Sequence, residues 1–433
     1  MTQKQNSTLP AIIVCILLFG MISFVTNLAS PMGEVLKYYL AGQEIAIPNW
    51  MATLGVFCNF IAYAVMGIPG GNLLTKHGYK KTALLAVLIG FTGVGVQTIA
   101  GLLSGISAFG VYLLGAFIAG FSMCLLNLVV NPMLNKLGGG GNRGNQLVQV
   151  GGSFNSLMGT ATIMLTGLLL GDIASAQISQ IFPLMYTALA IFALAFVVVL
   201  LTKIPENPAV EAKVEEKSQY GPMSFRHFVL GAIAIFIYVG VEVGIPNLLN
   251  DWLIDPKAIN ISTSVAGMVT GTYWLLMLVG RLAGAALGAK ISAKSMLTAV
   301  SMLGLGLVLG AIFLNSATLV KMPVFDGANG FTMAEVPVNA ALLVLCGLCT
   351  SVMWGGIFNL AVEGLGKYTE KGAGIFMAMV CGGGILPLLQ GVVVTATKGN
   401  YLASYWVIVA GLAFLLYYAL VGSKNVNKDI PTE

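Results

Sequence analysis

The chain has 433 residues, of which 57% are hydrophobic and only 9% are charged, and its formal net charge is +5. Because a soluble protein carries about 25% charged residues, this composition excludes an ordinary soluble domain and indicates a chain solvated mainly by lipid. With so few charges, the small positive excess reflects membrane topology and gives no support for nucleic-acid binding.

Twelve apolar runs follow one another along the chain. A helix needs about 20 apolar residues to cross a hydrocarbon core of about 30 Å. Runs this long and this uniformly apolar exclude the alternating strands of a membrane β-barrel, and only helices satisfy their own backbone in lipid. The predicted spans are about 9–29, 50–69, 82–103, 106–130, 148–170, 181–202, 226–247, 263–287, 295–315, 338–360, 372–394 and 401–421.

The basic residues predict the orientation of these spans. With the N-terminus inside, only Lys37, Lys257, Lys321 and Lys398 of the 21 Lys and Arg residues fall in outer segments. This positive-inside bias predicts that both termini face the cytoplasm. We expect a multi-pass protein of the cell (inner) membrane, with its first span retained because no small-residue cleavage site follows it.

One charged, Pro-containing segment divides the spans into two sets of six. It predicts an N-terminal six-helix bundle at 1–203, a cytoplasmic linker at 204–225 and a C-terminal six-helix bundle at 226–433. The expected fold is therefore an all-α integral membrane protein of two pseudo-symmetric bundles. This arrangement resembles the major facilitator superfamily, whose binding site lies near mid-membrane between the two halves.

The segment between the second and third span of each half is rich in glycine and basic residues. Gly70–Lys81 resembles the loop signature of the superfamily, with Thr75 where Asp is usual, and Gly280–Lys294 is its counterpart. The alternative is a plain basic loop that obeys the positive-inside bias. The candidate gating residues of these cytoplasmic loops are Gly71, Lys76, Gly78, Lys80, Lys81, Gly280 and Arg281.

Glu242 lies inside the apolar run of the seventh span. A carboxylate at that depth costs at least about 2.5 kcal/mol on insertion scales, so it is a candidate functional residue. The alternative is a carboxyl group near a helix end that reaches interfacial water.

Several motifs narrow the resemblance. They are Asn131-Pro132, Ser153-Phe-Asn-Ser156, Tyr238-Val-Gly-Val-Glu242-Val, Gly280-Arg281, the block 351–374 and the block 382–391. Together they resemble the fucose–galactose–glucose:proton symporter family of the major facilitator superfamily, over nearly the whole chain. The resemblance implies import of a monosaccharide, a hexose or deoxyhexose, by alternating access and usually with a proton.

At two positions this chain departs from the usual sequence of the family it resembles. Members of the family often carry an Asp in span 1 and a Glu in span 4, and the matching positions here are Asn27 and Asn127. An amide hydrogen-bonds but exchanges no proton near neutral pH, which leaves Glu242 as the candidate ion-coupling carboxylate. It offers either protonation or ligation of Na⁺, and the sequence does not choose between them. An uncoupled sugar facilitator, or transport of another small polar solute, stays open.

A sugar needs fixed polar groups for its hydroxyls and flat apolar surface for its C–H faces. Amides and aromatic rings within the spans are therefore the candidate contacts. The alternative is a helix–helix hydrogen bond for each amide, and packing or a headgroup anchor for each ring. The candidate substrate-binding residues are Asn27, Asn127, Asn131, Gln149, Asn155, Asn247, Tyr273, Trp274, Trp354, Asn359 and Gln390.

Other functional classes find little support. The spans contain no His apart from His227 at the start of the seventh span, and no paired carboxylates. An intramembrane enzyme is therefore not expected, and no Gly-rich nucleotide loop follows a strand. The six cysteines lie in apolar runs and are interpreted as core residues, so no metal, disulfide framework or bound cofactor is expected. The expected partners are a sugar and the lipid bilayer, no nucleic acid, and the expected state is a monomer.

Overall fold

The computed structural model describes residues 9–45, 54–170, 179, 181–206, 220–326, 330–427 and 429–432. Most of the predicted linker, 207–219, lies outside these residues, and so does the N-terminal stretch before residue 9. The predicted bundle boundaries therefore stay a prediction.

The first half of the chain folds into long helices that match the predicted apolar runs. They are α1 (Leu9–Ala41), α2 (Leu54–Ala100), α3 (Ile106–Leu137), α4 (Gly141–Leu170) and α5 (Phe182–Leu201). Helix α2 contains both the second and the third predicted span, because Gly78 has a non-helical backbone (φ 77°, ψ 177°) that separates two helices. Glycine adopts this left-handed region without steric cost.

The second half continues with helices and one hairpin. Its elements are α6 (Arg226–Ile254), α7 (Thr263–Leu287), α8 (Ala293–Phe313), β1 (Leu319–Asp326), β2 (Gly330–Pro337), α9 (Val338–Thr350), α10 (Met353–Val362), α11 (Thr369–Ala378), α12 (Gly382–Ala396) and α13 (Tyr401–Tyr417). Helices α9 and α10 together form the predicted tenth span, and α11 and α12 form the eleventh. Both spans are therefore interrupted helices.

Ten stretches of the described residues are long and apolar enough to cross a membrane. The break at Gly78 makes two spans of one stretch. Helix α4 is less apolar and supplies the remaining span. The described part of the chain thus carries the twelve helical spans expected from the sequence.

The hairpin β1–β2 was not predicted. Its antiparallel strands pair Leu319 with Pro337 and Asp326 with Gly330, where the sequence analysis expected only an outer loop. The Phe325 N–H donates to the Thr272 hydroxyl of α7 over 2.8 Å, which fastens the hairpin to the helices.

The described residues divide into two compact units. The first is drawn from Met1–Leu137, Phe154–Gly221 and Lys367–Ala378, and the second from Gly138–Ser153, Pro222–Gly366 and Met379–Glu433. Helix α11 thus belongs to the first unit, and the first part of α4 belongs to the second.

Within the first unit, α2 and α11 meet backbone to backbone. A methyl group added at Gly71 would lie 2.8 Å from the Cα of Gly374. Only glycine allows such an approach, as is common where helices cross in membranes. Beside this crossing, the Tyr79 hydroxyl donates to the buried Glu370 carboxylate over 3.1 Å.

Glu206 and Lys80 cap each other's helices in the first unit. The Glu206 carboxylate accepts from the N–H groups of Tyr79 (2.7 Å) and Lys80 (3.0 Å), where the helix after Gly78 begins. The Lys80 ammonium donates to the last carbonyls of α5, those of Leu200 (2.8 Å) and Thr202 (3.0 Å). An anion at a helix N-terminus and a cation at a helix C-terminus both stabilise the helix through favourable interaction with its dipole.

The two loop glycines and the loop cations of this unit therefore differ in role. Gly71 serves the helix crossing and Gly78 the break, whereas Lys76 and Lys81 are exposed. Thr75 bonds only its own helix, at the Gly71 carbonyl. The carboxylate absent at position 75 is supplied to this loop by Glu206, which the sequence analysis assigned only to the linker.

Candidate functional site

Glu242 of α6 forms an ion pair with Arg281 of α7 in the second unit. The Arg281 Nη2 atom lies 3.2 Å from the Glu242 Oε1 atom, and the two side chains are only 11% and 12% exposed. The predicted assignment of Gly280 and Arg281 to a cytoplasmic loop is wrong, because both lie within α7, about two turns before its end at Leu287. A buried guanidinium is tolerated there because the carboxylate neutralises it.

Arg281 also binds two main-chain carbonyls. Its Nη1 donates to Gly152 of α4 over 3.2 Å, and its Nε donates to Ser351 over 3.4 Å. Ser351 stands at the interruption between α9 and α10. Helix ends leave carbonyls without helical donors, and Arg281 satisfies one of them.

Gln149 serves the same interruption. Its side-chain amide donates to the Val352 carbonyl over 2.9 Å, and the residue is almost fully buried. The Gln149 amide, predicted as a sugar contact, is therefore already engaged in joining α4 to the interrupted tenth span.

Two tyrosines border Glu242. Tyr273 is fully buried, and its hydroxyl donates to the Glu242 main-chain carbonyl over 3.1 Å and lies 3.0 Å from the Thr350 hydroxyl. Its ring is thus enclosed and presents no open stacking surface. Tyr238, one turn before Glu242, places its hydroxyl beside both charged groups, in a geometry short of a hydrogen bond.

The remaining predicted residues of the second unit differ in burial. Trp354 meets the Tyr238 ring edge-on at 6.3 Å, and Trp274 meets the Tyr273 ring at 5.3 Å; both tryptophans are half-buried. Asn359 and Gln390 are buried, whereas Asn247 is exposed.

Gln390 is the least satisfied of these side chains. It is fully buried, and neither amide atom finds a hydrogen-bond partner within the described residues. Its Oε1 atom lies against Gly244, half a turn after Glu242. A buried amide without partners marks a place where water or a ligand is needed.

In the first unit, both span 4 amides are hydrogen-bonded, Asn127 to a neighbouring helix and Asn131 within its own helix. The Asn127 amide donates to the Tyr63 hydroxyl of α2 over 2.8 Å, and the Asn131 amide donates to the Asn127 carbonyl over 2.9 Å. Both asparagines are buried. Asn127, at the position where the family often has Glu, therefore makes the helix–helix bond that was the alternative reading.

Asn27 and Asn155 lie along the contact of α1 with α4. The Asn155 amide donates to the Phe19 carbonyl over 2.7 Å, which joins the two helices. The Asn27 amide donates to the carbonyl and hydroxyl of Ser23 in its own helix, at 2.8 and 3.1 Å. A methyl group at Gly159 would lie 3.0 Å from the Asn27 amide nitrogen, so Asn27 borders α4 as well.

The site chemistry is polar. Within the described residues, no group of three or more His, Cys, Asp or Glu side chains converges on a metal position. Among the described residues of the second unit, Arg281 joins the Glu242 carboxylate to two main-chain carbonyls, and the Tyr273 hydroxyl binds the Glu242 main chain.

The pairing of Glu242 with Arg281 was not predicted from the sequence. Arg281 lay inside the predicted span 263–287, and a cation within an apolar run was the signal that it needs a carboxylate. The position of Ser351 at a helix interruption was not predicted either, because such an interruption leaves no periodic pattern in the sequence.

Comparison with known proteins supports one family. The family described as Major Facilitator Superfamily matches residues 11–386. A glucose/galactose transporter of Brucella abortus is 27% identical over 431 residues, covering 98% of this chain and 97% of that protein. A putative glucose/galactose transporter of Helicobacter pylori is 30% identical over 440 residues, covering 98% and 99%.

The fold is also that of a solved transporter. A crystal structure of the E. coli Fucose:proton symporter superposes with a TM-score of 0.79 at 19% identity, covering 97% of this chain and 100% of that chain. At this identity the likeness shows the fold alone. The fold class predicted from the sequence, twelve membrane helices in the superfamily arrangement, is confirmed.

Proposed function

Because the chain belongs to the Major Facilitator Superfamily, a family of membrane transporters, we propose that it imports a monosaccharide of the hexose or deoxyhexose class by alternating access. The observation that supports this most is the full-length similarity to two proteins named as glucose/galactose transporters. The proposal includes an inner-membrane location, cytoplasmic termini and a monomeric state.

Each unit, taken by itself, holds polar groups suited to sugar hydroxyls. In the first unit these are Asn27 and Asn155, which are both half-buried. In the second unit Gln390 lacks a partner for either amide atom within the described residues, and Trp354 is half-buried beside Tyr238. Amides that donate and accept, next to an aromatic ring, suit the two faces of a sugar.

Ion coupling is assigned to Glu242. Its side chain is buried in α6, and the positions of the family's two usual carboxylates are the amides Asn27 and Asn127. Coupling needs a group that takes up a proton or that holds Na⁺ by a negative charge, and an amide has neither a titrating proton nor a charge near neutral pH. Among the described residues, Glu242 is paired with Arg281, whose long side chain carries the positive charge.

The same ion pair supports a second candidate, an uncoupled facilitator. Arg281 neutralises Glu242 at 3.2 Å, so the pair as it stands carries no net charge. A pair that never dissociates is structural only. The two candidates differ in one measurable property, accumulation of sugar against its gradient.

The experiment uses purified protein in proteoliposomes. A panel of monosaccharides is first screened by thermal shift, since a bound substrate raises the melting temperature. The best sugar is then followed in uptake driven by an H⁺ or Na⁺ gradient and in counterflow exchange. We expect Glu242→Gln to abolish gradient-driven accumulation and to preserve counterflow, because Gln still accepts a hydrogen bond from Arg281 but carries no charge.

Glu335→Gln is the matched control, because this carboxylate is exposed on the hairpin strand β2. We expect it to transport like the unaltered protein. Normal accumulation by Glu242→Gln would refute the coupling assignment and leave the facilitator. No response to any monosaccharide, in binding or in counterflow, would refute sugar transport itself.

A further inference from the structure

Three oxygen atoms converge on the guanidinium of Arg281. They are the carboxylate Oε1 of Glu242 at 3.2 Å from Nη2, the carbonyl of Gly152 at 3.2 Å from Nη1, and the carbonyl of Ser351 at 3.4 Å from Nε. One is anionic and two are carbonyls. All belong to the second unit.

This oxygen set is the kind that binds a hard cation. Carboxylate and main-chain carbonyl oxygens are the ligands that such metal ions take from proteins. Interrupted helices in membrane transporters use freed carbonyls to coordinate Na⁺. Here the Ser351 carbonyl is at such an interruption. It already accepts a hydrogen bond from the Nε atom of Arg281, where a cation would otherwise bind.

We propose that Arg281 is the resident cation of the Glu242 site, and that it determines ion selectivity by excluding Na⁺ from the oxygens it holds. A guanidinium is a permanent cation, so it competes with Na⁺ for these oxygens at all times. Its five N–H donors also bind several oxygens at once. A spherical Na⁺ ion therefore does not readily displace the Arg281 guanidinium from them.

The neighbours of the pair support this assignment. The hydroxyls of Tyr238 and Tyr273 border Glu242. Arg281 is the charged side chain that the described residues place against Glu242. With Arg281 in place the site is neutral, and a further metal ion would give it an uncompensated positive charge in a buried position.

The first test measures the unaltered full-length protein. Its melting temperature is compared in NaCl and choline chloride at equal ionic strength, and we expect a difference below about 1 °C. A saturable stabilisation by Na⁺ that Glu242→Gln removes would overturn the proposal.

The second test is a gain of Na⁺ binding. Arg281→Ala frees the three oxygens and leaves space beside them, so Na⁺ is expected to raise its melting temperature by at least about 3 °C over choline. Arg281→Lys keeps a cation in the site and is expected to stay insensitive. The double variant Arg281→Ala/Glu242→Gln lacks the anionic ligand and is expected to lose the effect.

The outcomes are decisive even where a variant folds poorly. A monodisperse Arg281→Ala that ignores Na⁺ overturns the proposal, as does an Arg281→Lys that responds like Arg281→Ala. If Arg281→Ala does not fold, the comparison of salts on the unaltered protein decides.

The link to transport rests on the proposed function and is tested separately. In proteoliposomes, an inward Na⁺ gradient of about tenfold is expected to give no accumulation, although full coupling at one ion per sugar would concentrate the sugar about tenfold. Accumulation driven by Na⁺ overturns the assignment of Arg281. Absence of any sugar transport refutes the proposed function, and the thermal test of Na⁺ exclusion stands apart from it.

Discussion

The main-chain carbonyl of Glu242 accepts a hydrogen bond from the hydroxyl of Tyr273 over 3.1 Å. In an α-helix this carbonyl would accept from the N–H four residues later, and that residue is Pro246, which has no N–H. Tyr273 of α7 thus replaces the donor that Pro246 of α6 lacks. The same contact holds the backbone of the proposed coupling residue in place.

We expect Tyr273→Phe to lower the free energy of unfolding by about 1–2 kcal/mol, because it leaves a buried carbonyl without a donor. The matched control is Tyr405→Phe. Tyr405 is equally buried, and its hydroxyl donates over 3.0 Å to the main-chain carbonyl of Ile245, three residues after Glu242 in α6. The Ile245 carbonyl has a helical donor in Leu249, so the control should cost about 0.6 kcal/mol, the average for such bonds in membranes.

Thermal unfolding of both variants in the same detergent measures the difference. Equal losses of stability in Tyr273→Phe and Tyr405→Phe would contradict a special role for the bond at Glu242. Transport at a range of ion gradients adds a second readout, because a displaced Glu242 should alter coupling and a merely weakened fold should not.

Asn155 joins α4 to α1 through the Phe19 carbonyl, and it is also a proposed sugar contact. We expect Asn155→Ala to weaken sugar binding about tenfold, equivalent to about 1.4 kcal/mol, the scale of one lost hydrogen bond to a polar ligand. The measurement is a titration of the best sugar from the thermal screen.

Thr92→Val is the control for Asn155→Ala. It removes a hydroxyl from α2 that bonds only within its own helix, at the Leu88 carbonyl. We expect its sugar affinity to be unchanged. If Asn155→Ala melts earlier but binds the sugar with normal affinity, Asn155 is a structural residue alone.

The contact of α2 with α11 predicts a contrast between two glycines of α2, one on each side of the break at Gly78. Gly71 faces Gly374, with 2.8 Å from an added methyl to the Gly374 Cα, whereas an added methyl at Gly95 meets no atom within 4 Å. Gly71→Ala is expected to lose about 1–3 kcal/mol of stability through overpacking. Gly95→Ala is expected to be neutral or to gain up to about 1 kcal/mol from helix propensity.

Melting temperatures of the two variants test this contrast directly. The close approach of α2 and α11 would be contradicted by a Gly71→Ala variant as stable as Gly95→Ala. Both changes add one methyl group to a helical glycine of α2, Gly71 before the break at Gly78 and Gly95 after it, so the comparison isolates the contact with α11.

The individual spans were well predicted. The seventh span, expected at 226–247, begins at Arg226, and the ninth, expected at 295–315, is Ala293–Phe313. Such spans are predictable because insertion in lipid acts on each stretch of about 20 residues by its own hydropathy. The interruptions within the tenth and eleventh spans were missed, since hydropathy does not change there.

The polar contacts were harder to predict, and Arg281 shows why. Its position near the end of a span, close to other basic residues, fitted the positive-inside bias, so it was assigned to a loop. Its partner Glu242 stands 39 positions earlier on another helix. No local pattern connects the two.

The sequence by itself determined that this protein is a twelve-span membrane transporter of one recognisable family, because apolar length and family motifs are read along the chain. Only the tertiary structure decided what its few polar side chains do. Asn155 reaches Phe19 across 136 positions and Arg281 reaches Gly152 across 129. Away from water, a polar group must find its partner wherever the fold brings one, so the pairing of Glu242 with Arg281 depends on helix packing and not on sequence distance.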